Sequence, residues 1–254
     1  MVTPGLTTVH VPILMYHYVG TVPKDDPNPK LRAGLTVNPA DFSQQMDWLA
    51  AHGYHPVDMT TLRGYFAGSP LPAKPVVVTL DDGTADLYTA AYPVLRAHHF
   101  PAVAFIISGF LNASGRVTAD QVLEMEKGGI EIGSHTWDHP DLTTLPAARV
   151  QFELVRCKQD LEKLLGHPVL DFAYPAGRYN TAVVRQVQQT GYESAVTTDW
   201  GAAHAMPDKF TWTRIRVDGG EPLERFIANL GPSDPTVTGQ EVVTPSPSPA
   251  HAGS

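Results

Sequence analysis

A single cysteine, Cys157, stands in a chain of 254 residues, so no disulfide can close within it. That leaves the compartment open, because large domains are secreted without bridges. Basic residues are few: 18 Lys and Arg face 26 Asp and Glu, a net charge of −8, and no basic cluster stands out. This argues against a nucleic-acid surface and against docking on an anionic membrane. No run of about 18 apolar residues exists, so no segment is expected to span a bilayer. The opening "MVTPGLTTVHVPILMYHYVG" has neither a charged n-region nor a long apolar h-region, so no signal peptide is expected there. No internal repeat is visible.

What remains is an ordinary globular composition, 43% hydrophobic, long enough for one large domain. Strand-like runs lie at 11–19, 75–80, 102–108, 130–134, 169–174, 193–198 and 212–217. Helix-like runs separate most of them. One starts at Asn38-Pro39, an N-cap followed by proline at the first helical position, and stops at Gly53. Others cover 85–99 (with Pro93 as a kink), Thr118 to Gly128, Pro146 to Leu165 closed by Gly166, 180–191, and 222–230. Such alternation predicts an α/β fold with a parallel sheet covered by helices. Seven units in one domain suit a barrel better than an open sheet. Residues 1–10 read as an N-terminal extension, 11–232 as the domain, and 20–36 as a long polar loop within it. Residues 233–254 read as a Pro/Ser-rich tail, expected to be disordered.

In α/β barrels the reactive residues sit just past the C-terminal ends of strands. After "VVVTL" come Asp81, Asp82 and Gly83; after "IEIGS" come His135, Thr136, Trp137, Asp138 and His139. "DFAY" leads into Pro175, Ala176, Gly177, Arg178 and Tyr179, and "LMY" into His17. His135 and His139 are four apart, a spacing that puts both rings on one face of a helical turn. Two imidazoles and a carboxylate make three ligands for a divalent metal, with a position left for water. The Asp pair then has a use. One carboxylate ligates the cation, the other takes a proton from water, and the cation offsets their repulsion.

Each element alone is weak. An H-x-x-x-H pair is common, and Asp-Asp-Gly at a strand end is usually a turn. Their occurrence on successive strand ends carries the argument. The other histidines favour structural roles: His98 and His99 close a helix, His52 and His167 lie near helix ends, and His251 is in the tail. His10, His55 and His204 have no clear role. Cys157, in mid-helix, reads as a small core residue.

"TLDDG" and "SHTWDH" resemble the first two motifs of the polysaccharide deacetylase family, the NodB-homology hydrolases of carbohydrate esterase family 4. "FAYPAGRYN" resembles the third motif, and "VPILMYHYV" the opening strand of the poly-N-acetylglucosamine deacetylase branch. The resemblance covers residues 11–230. It implies a distorted (β/α)7 barrel and metal-dependent removal of acetyl groups from sugars. It implies Asp81 as catalytic base and Asp82, His135 and His139 as ligands of one ion, most simply Zn²⁺, with Co²⁺ or Ni²⁺ able to substitute. The third motif departs from the family's Arg-Pro-Pro-Tyr, reading Ala173-Tyr174-Pro175-Ala176. The arginine that steadies the base must then come from elsewhere. Arg214 or Arg216 in "RIRV" is the candidate, with only one of the two expected to face inward; Arg178 is a weaker one. The N–H of Ala176 remains available to an oxyanion. The family's late Leu-x-His motif is not found after residue 204. The branch resemblance puts the general acid at His17 instead, with Tyr16 and Tyr18 expected to face away.

The expected partner is an acetylated glycan, outside the cell or in its envelope, acted on by a monomer. Pro175, Tyr174 and Trp137 are candidate substrate contacts, and Trp137 and Trp200 are candidate stacking platforms for sugar rings. Two other readings stand beside this one. One is a hydrolase of small amides or imides on the same fold. The other is a non-catalytic glycan-binding module, which would be expected to lose the base or a ligand.

Overall fold

Seven parallel strands close on themselves in the computed structural model, which describes residues 8–231. In chain order they are β1 (Ile13–Tyr16), β2 (Pro75–Leu80), β3 (Ala102–Ile106), β4 (Ile130–Ser134), β5 (Asp171–Ala173), β6 (Ser194–Trp200) and β7 (Trp212–Arg216). The ring runs β1-β7-β6-β5-β4-β3-β2, and β2 returns to β1 with Ile13 opposite Val77 and Tyr16 opposite Leu80. The (β/α)7 barrel expected from the resemblance is therefore present, built from the same seven runs.

Its strands are β-branched and apolar because both faces are buried; all six residues of β2 are inaccessible or nearly so. Alternation divides them between two cores. Ile13, Val77, Val103, Phe105, Ala173, Val196 and Trp212 fill the barrel. Leu14, Tyr16, Val76, Val78, Leu80, Ala104 and Phe172 point out and pack under the helices. Eight α-helices are present among the described residues: α1 (Pro29–Leu35), α2 (Pro39–Ala51), α3 (Met59–Phe66), α4 (Tyr92–Ala97), α5 (Ala119–Lys127), α6 (Ala147–Leu165), α7 (Thr181–Gln189) and α8 (Leu223–Asn229). Caps fix their ends. The Asn38 side chain accepts from Ala40 N–H before α2, Thr118 and Gln121 form a capping box on α5, and Gly166 ends α6 at φ +80°.

The structure corrects several expectations. Residues 20–36 contain α1, started by Pro29, and a strand Thr36–Val37 that pairs with Tyr18–Val19. The segment between Gly53 and Pro75, unassigned in sequence, holds α3, capped by Asp58, and a strand His55–Val57 that pairs with the first half of β2. Residues 87–91 form a wide π-helical turn ahead of Pro93, so 85–99 is not one regular helix. The fold also begins earlier than residue 11: Thr8–His10 pairs antiparallel with Ala203–Ala205, and Val9 is fully buried. The tail at 233–254 lies outside the described residues, as does Gly231's successor at 232. No helix among the described residues is long and apolar enough to cross a membrane.

Candidate metal centre and active site

The C-terminal ends of β1, β2, β4, β5, β6 and β7 open into one cavity of about 380 Å³. His17, Asp81, Asp82, His135, His139, Tyr174, Ala176 and Arg216 all line it. The backbone there is strained. Seven non-glycine described residues have positive φ, and four of them, Asp82, Thr136, His139 and Ala176, belong to this rim. Such outliers cost of order 1–3 kcal/mol each and persist where the surroundings enforce them.

Asp82, His135 and His139 offer ligand atoms that lie within 4.8 Å of one another. Asp82 Oδ1 is 3.4 Å from His135 Nε2 and 3.6 Å from His139 Nε2. Ligands ~2.0–2.1 Å from a shared ion at tetrahedral angles sit ~3.3–3.4 Å apart, so the donor set fits a divalent cation. The second nitrogen of His135 supports this. Nδ1–H donates to the Ala173 carbonyl at 2.7 Å, which leaves the Nε2 lone pair facing the cluster. The convergence is not helical, as the i, i+4 spacing suggested. Thr136 and His139 at φ +67° and +62° fold the loop back and bring the two rings to 4.7 Å.

The electrostatics of Asp82 and His139 agree with ligand roles. Burial alone would push Asp82 up, but His135 and the other imidazoles hold it well below the usual carboxylate range. Burial, with His135 beside it, lowers His139 to about 4, so the ring is neutral and able to ligate. For His135 burial works downward, but its bond to Asp82 and the charge of Asp81 leave it raised.

Asp81 is buried and held by Arg214, fully buried, through two parallel bonds: Nη1 to Oδ1 at 2.8 Å and Nη2 to Oδ2 at 2.7 Å. Arg214 is fixed in turn by Thr79 Oγ1 at 3.0 Å and the Thr197 carbonyl at 2.8 Å. Burial favours the neutral acid, yet the guanidinium outweighs it and keeps Asp81 below its ordinary pKa. The arginine lost at Ala173 is thus replaced in space from the last strand. Arg178 is not a substitute: it pairs with Asp141 at 2.6 Å. The expectation that only one of Arg214 and Arg216 faces inward fails, because residues two apart on a strand share a face. Arg216 lines the same cavity nearer its mouth.

His17 also reaches the cavity, with Nε2 4.0 Å from Asp81 Oδ2. Burial lowers its pKa against the pull of Asp81. Tyr16 faces away, its hydroxyl donating to Gln45 Oε1 at 2.8 Å. Tyr18 does not: β1 breaks at His17, and Tyr18 lines the cavity under the Arg32 guanidinium.

The third motif forms a tight turn in which Ala176 has φ +52° and Gly177 φ +68°. A side chain at Gly177 would meet Thr198 Oγ1 at 1.9 Å, so the approach of β6 demands glycine. None of the hydrogen bonds among the described residues uses the Ala176 N–H. The Tyr174 ring lines the cavity while its hydroxyl donates to the Phe210 carbonyl at 3.0 Å. Pro175 is buried behind it and does not line the cavity. Nor does Trp137, which packs edge-on against Phe152 at 5.4 Å; Trp200 is exposed on the rim side of β6 and also lies outside the lining. His204 is buried away from the cavity, bonded to the Val11 carbonyl at 2.9 Å.

Sequence reasoning missed several residues that shape the site. Arg116 Nη1 donates to the Asp82 carbonyl at 2.9 Å, and Leu31 and Leu35 of α1 line the mouth. Glu153, fully buried on α6, accepts from Trp137 N–H and Asp138 N–H, each at 3.0 Å, and so holds the loop that carries His139. Its only sequence signal is a carboxylate on the apolar face of a helix. Glu153→Gln is expected to weaken Zn²⁺ affinity by about tenfold, the scale seen when the groups behind metal ligands are altered. Competition with a chromogenic chelator measures it; unchanged affinity would count against a positioning role.

The family model for polysaccharide deacetylases matches residues 68–195. A Bacillus subtilis protein, YxkH, named as a polysaccharide deacetylase, is 32% identical over 221 residues, 87% of this chain and 76% of its own. The Escherichia coli poly-beta-1,6-N-acetyl-D-glucosamine N-deacetylase is 25% identical over 215 residues, 67% of this chain but 32% of that protein. Among solved structures, the Streptococcus pyogenes deacetylase PplD in complex with acetate superposes with a TM-score of 0.81 at 30% identity, covering 89% of this chain and 100% of that one.

Proposed function

Because the chain belongs to the polysaccharide deacetylase family, we propose that it hydrolyses the acetamide of N-acetylated sugars, with an N-acetylglucosamine polymer as substrate. The observation that carries this reading is one cavity holding both halves of the chemistry. Asp82, His135 and His139 converge there, and beside them Arg214 keeps the Asp81 carboxylate ionised. The named substrate of the E. coli relative supports the polymer. The acetate bound to PplD is what an acetyl hydrolase releases. Such a polymer lies outside the cell or in its envelope, and the enzyme is placed there with it.

Asp82, His135 and His139 would hold a zinc ion, since two imidazoles and one carboxylate with an open position suit it. A divalent cation there supplies Lewis acidity toward the acetyl carbonyl and the attacking water. Asp81, aimed by Arg214, takes the proton of that water. The Ala176 N–H donates to the oxygen that becomes negative. His17 gives a proton to the leaving amine, which cannot depart as an anion. Its ring need not rest protonated, because Asp81 Oδ2 lies 4.0 Å away and can return the proton it received. Retention of Asp81 and all three ligands speaks against a binding module that has lost its chemistry.

Incubating the zinc-loaded protein with poly-N-acetylglucosamine, peptidoglycan, chitin oligomers and acetylated xylan tests this. Acetate and free amine in equal amounts are expected from an N-acetylglucosamine polymer. Acetate from none of the four sinks the reading, and turnover of a small cyclic imide instead selects the alternative hydrolase.

A further inference from the structure

The second arginine of "RIRV" has no part in the chemistry above. Arg216 is half-buried at the mouth of the cavity, two residues beyond Arg214 and on the same face of β7. A guanidinium carries five N–H donors and is costly to desolvate unless they are engaged. None of the hydrogen bonds or ion pairs among the described residues uses the Arg216 side chain, although Arg214 makes four hydrogen bonds. The acids nearby are already committed. Asp81 is taken by Arg214, and Asp82 sits among the two histidines. Arg116, also lining the cavity, adds a further cation whose Nη1 spends itself on the Asp82 carbonyl.

The cavity is therefore charged against the rest of the molecule. Arg116 and Arg216 line it with Asp81 and Asp82, and Asp81 is already neutralised by Arg214 packed behind it, while the whole chain carries −8. A bound divalent cation makes the imbalance larger. The acetyl group must reach the bottom, where Asp81 and Asp82 lie. Arg216, half-buried where Arg214 is fully buried, lies nearer the mouth.

We propose that Arg216 docks an anionic substituent of the glycan, a carboxylate or phosphate carried on the acetylated sugar or its neighbour, so that acidic glycans are selected over neutral ones. This rests on the deacetylase reading and departs from the neutral homopolymer named for the E. coli relative: among N-acetylglucosamine polymers it favours those that carry an acidic group. A carboxylate or phosphate matches the planar fork of arginine through two parallel bonds, which the hydroxyls of a neutral sugar do not.

The test uses three N-acetylglucosamine oligosaccharides of equal length: one neutral, one bearing a lactyl ether carboxylate, one 6-phosphorylated. Steady-state kinetics and equilibrium binding are measured for the zinc-loaded wild type, Arg216→Gln and Arg216→Lys. Wild type is expected to favour an acidic oligosaccharide in kcat/KM, and the better of the two identifies the anion. Arg216→Gln should collapse that preference by ~10–100-fold, through KM rather than kcat, because the contact is the same in ground and transition states. Arg216→Lys should restore part of it, keeping the charge without the fork. Equal kcat/KM for all three with wild type, or a preference that survives in Arg216→Gln, overturns the proposal. Preferential binding of an acidic oligosaccharide with no acetate released would uphold the docking role and overturn the deacetylase reading instead.

Discussion

Stripped of its divalent cation, the protein is expected to keep its fold and lose acetate release by ~10³-fold or more, regaining it with Zn²⁺ or Co²⁺. The size follows from what a Lewis acid contributes, several kcal/mol at the transition state, where each ~1.4 kcal/mol is tenfold. Survival of the fold follows from where the ligands sit. Asp82, His135 and His139 all lie beyond strand ends, and none belongs to either apolar cluster. The ring is closed by backbone pairing of β1 with β2, independent of them. Folding and metal binding are thus coupled only by mass action, so the melting temperature should rise with added zinc rather than collapse without it. Circular dichroism, a thermal scan and an acetate assay on the chelated protein decide the matter. Full turnover with no metal by elemental analysis would refute the assignment of the three ligands.

The barrel was legible because its strands are buried on both faces. A strand such as Val76–Leu80 has no exposed face to blur the pattern, and Ile13–Tyr16 and Ala102–Ile106 on either side of it share that property. Asp81, Asp82, His135 and His139 were legible for the related reason that polar residues directly after such strands need a purpose. What was hidden had weak local signals. α1 buries no residue, so its periodicity carries no apolar stripe, and only Pro29 marks its start. α3 and the short strand before it occupy a stretch whose role is to close the base. There Arg63 pairs with Asp171 across the chain, with Glu193 at 3.3 Å. A pairing between residues more than a hundred apart leaves no trace in spacing. Glu153 is hidden in the same way, since nothing near it in sequence says that a loop will fold over it. The Arg214 question was half legible. The missing arginine at Ala173 predicted a donor from elsewhere, but the choice between 214 and 216 depends on depth along β7, which alternation cannot give.

His17→Ala is expected to lower kcat on N-acetylated sugars by ~10²–10⁴, the usual worth of a positioned general acid, with metal binding unchanged. Three features separate this from a structural histidine. The ring lines the cavity, its Nε2 approaches Asp81 Oδ2 at 4.0 Å, and no hydrogen bond among the described residues satisfies it. By contrast the His52, His55 and His204 rings are each bonded to a backbone carbonyl. Substrate choice sharpens the test. An amine must gain a proton to leave, whereas a phenolate leaves without one, so the variant should lose far more on N-acetyl sugars than on an aryl acetate. Equal losses on both would mean that His17 acts on the attack step or on the site's shape, not on the leaving group. Turnover of N-acetyl sugars within about threefold of wild type would remove it from the chemistry altogether. His204 could not then inherit the role, because it is committed to Val11 away from the cavity. The proton would have to come from Asp81 itself, acting first as base and then as acid against the pull of the Arg214 fork at 2.7–2.8 Å.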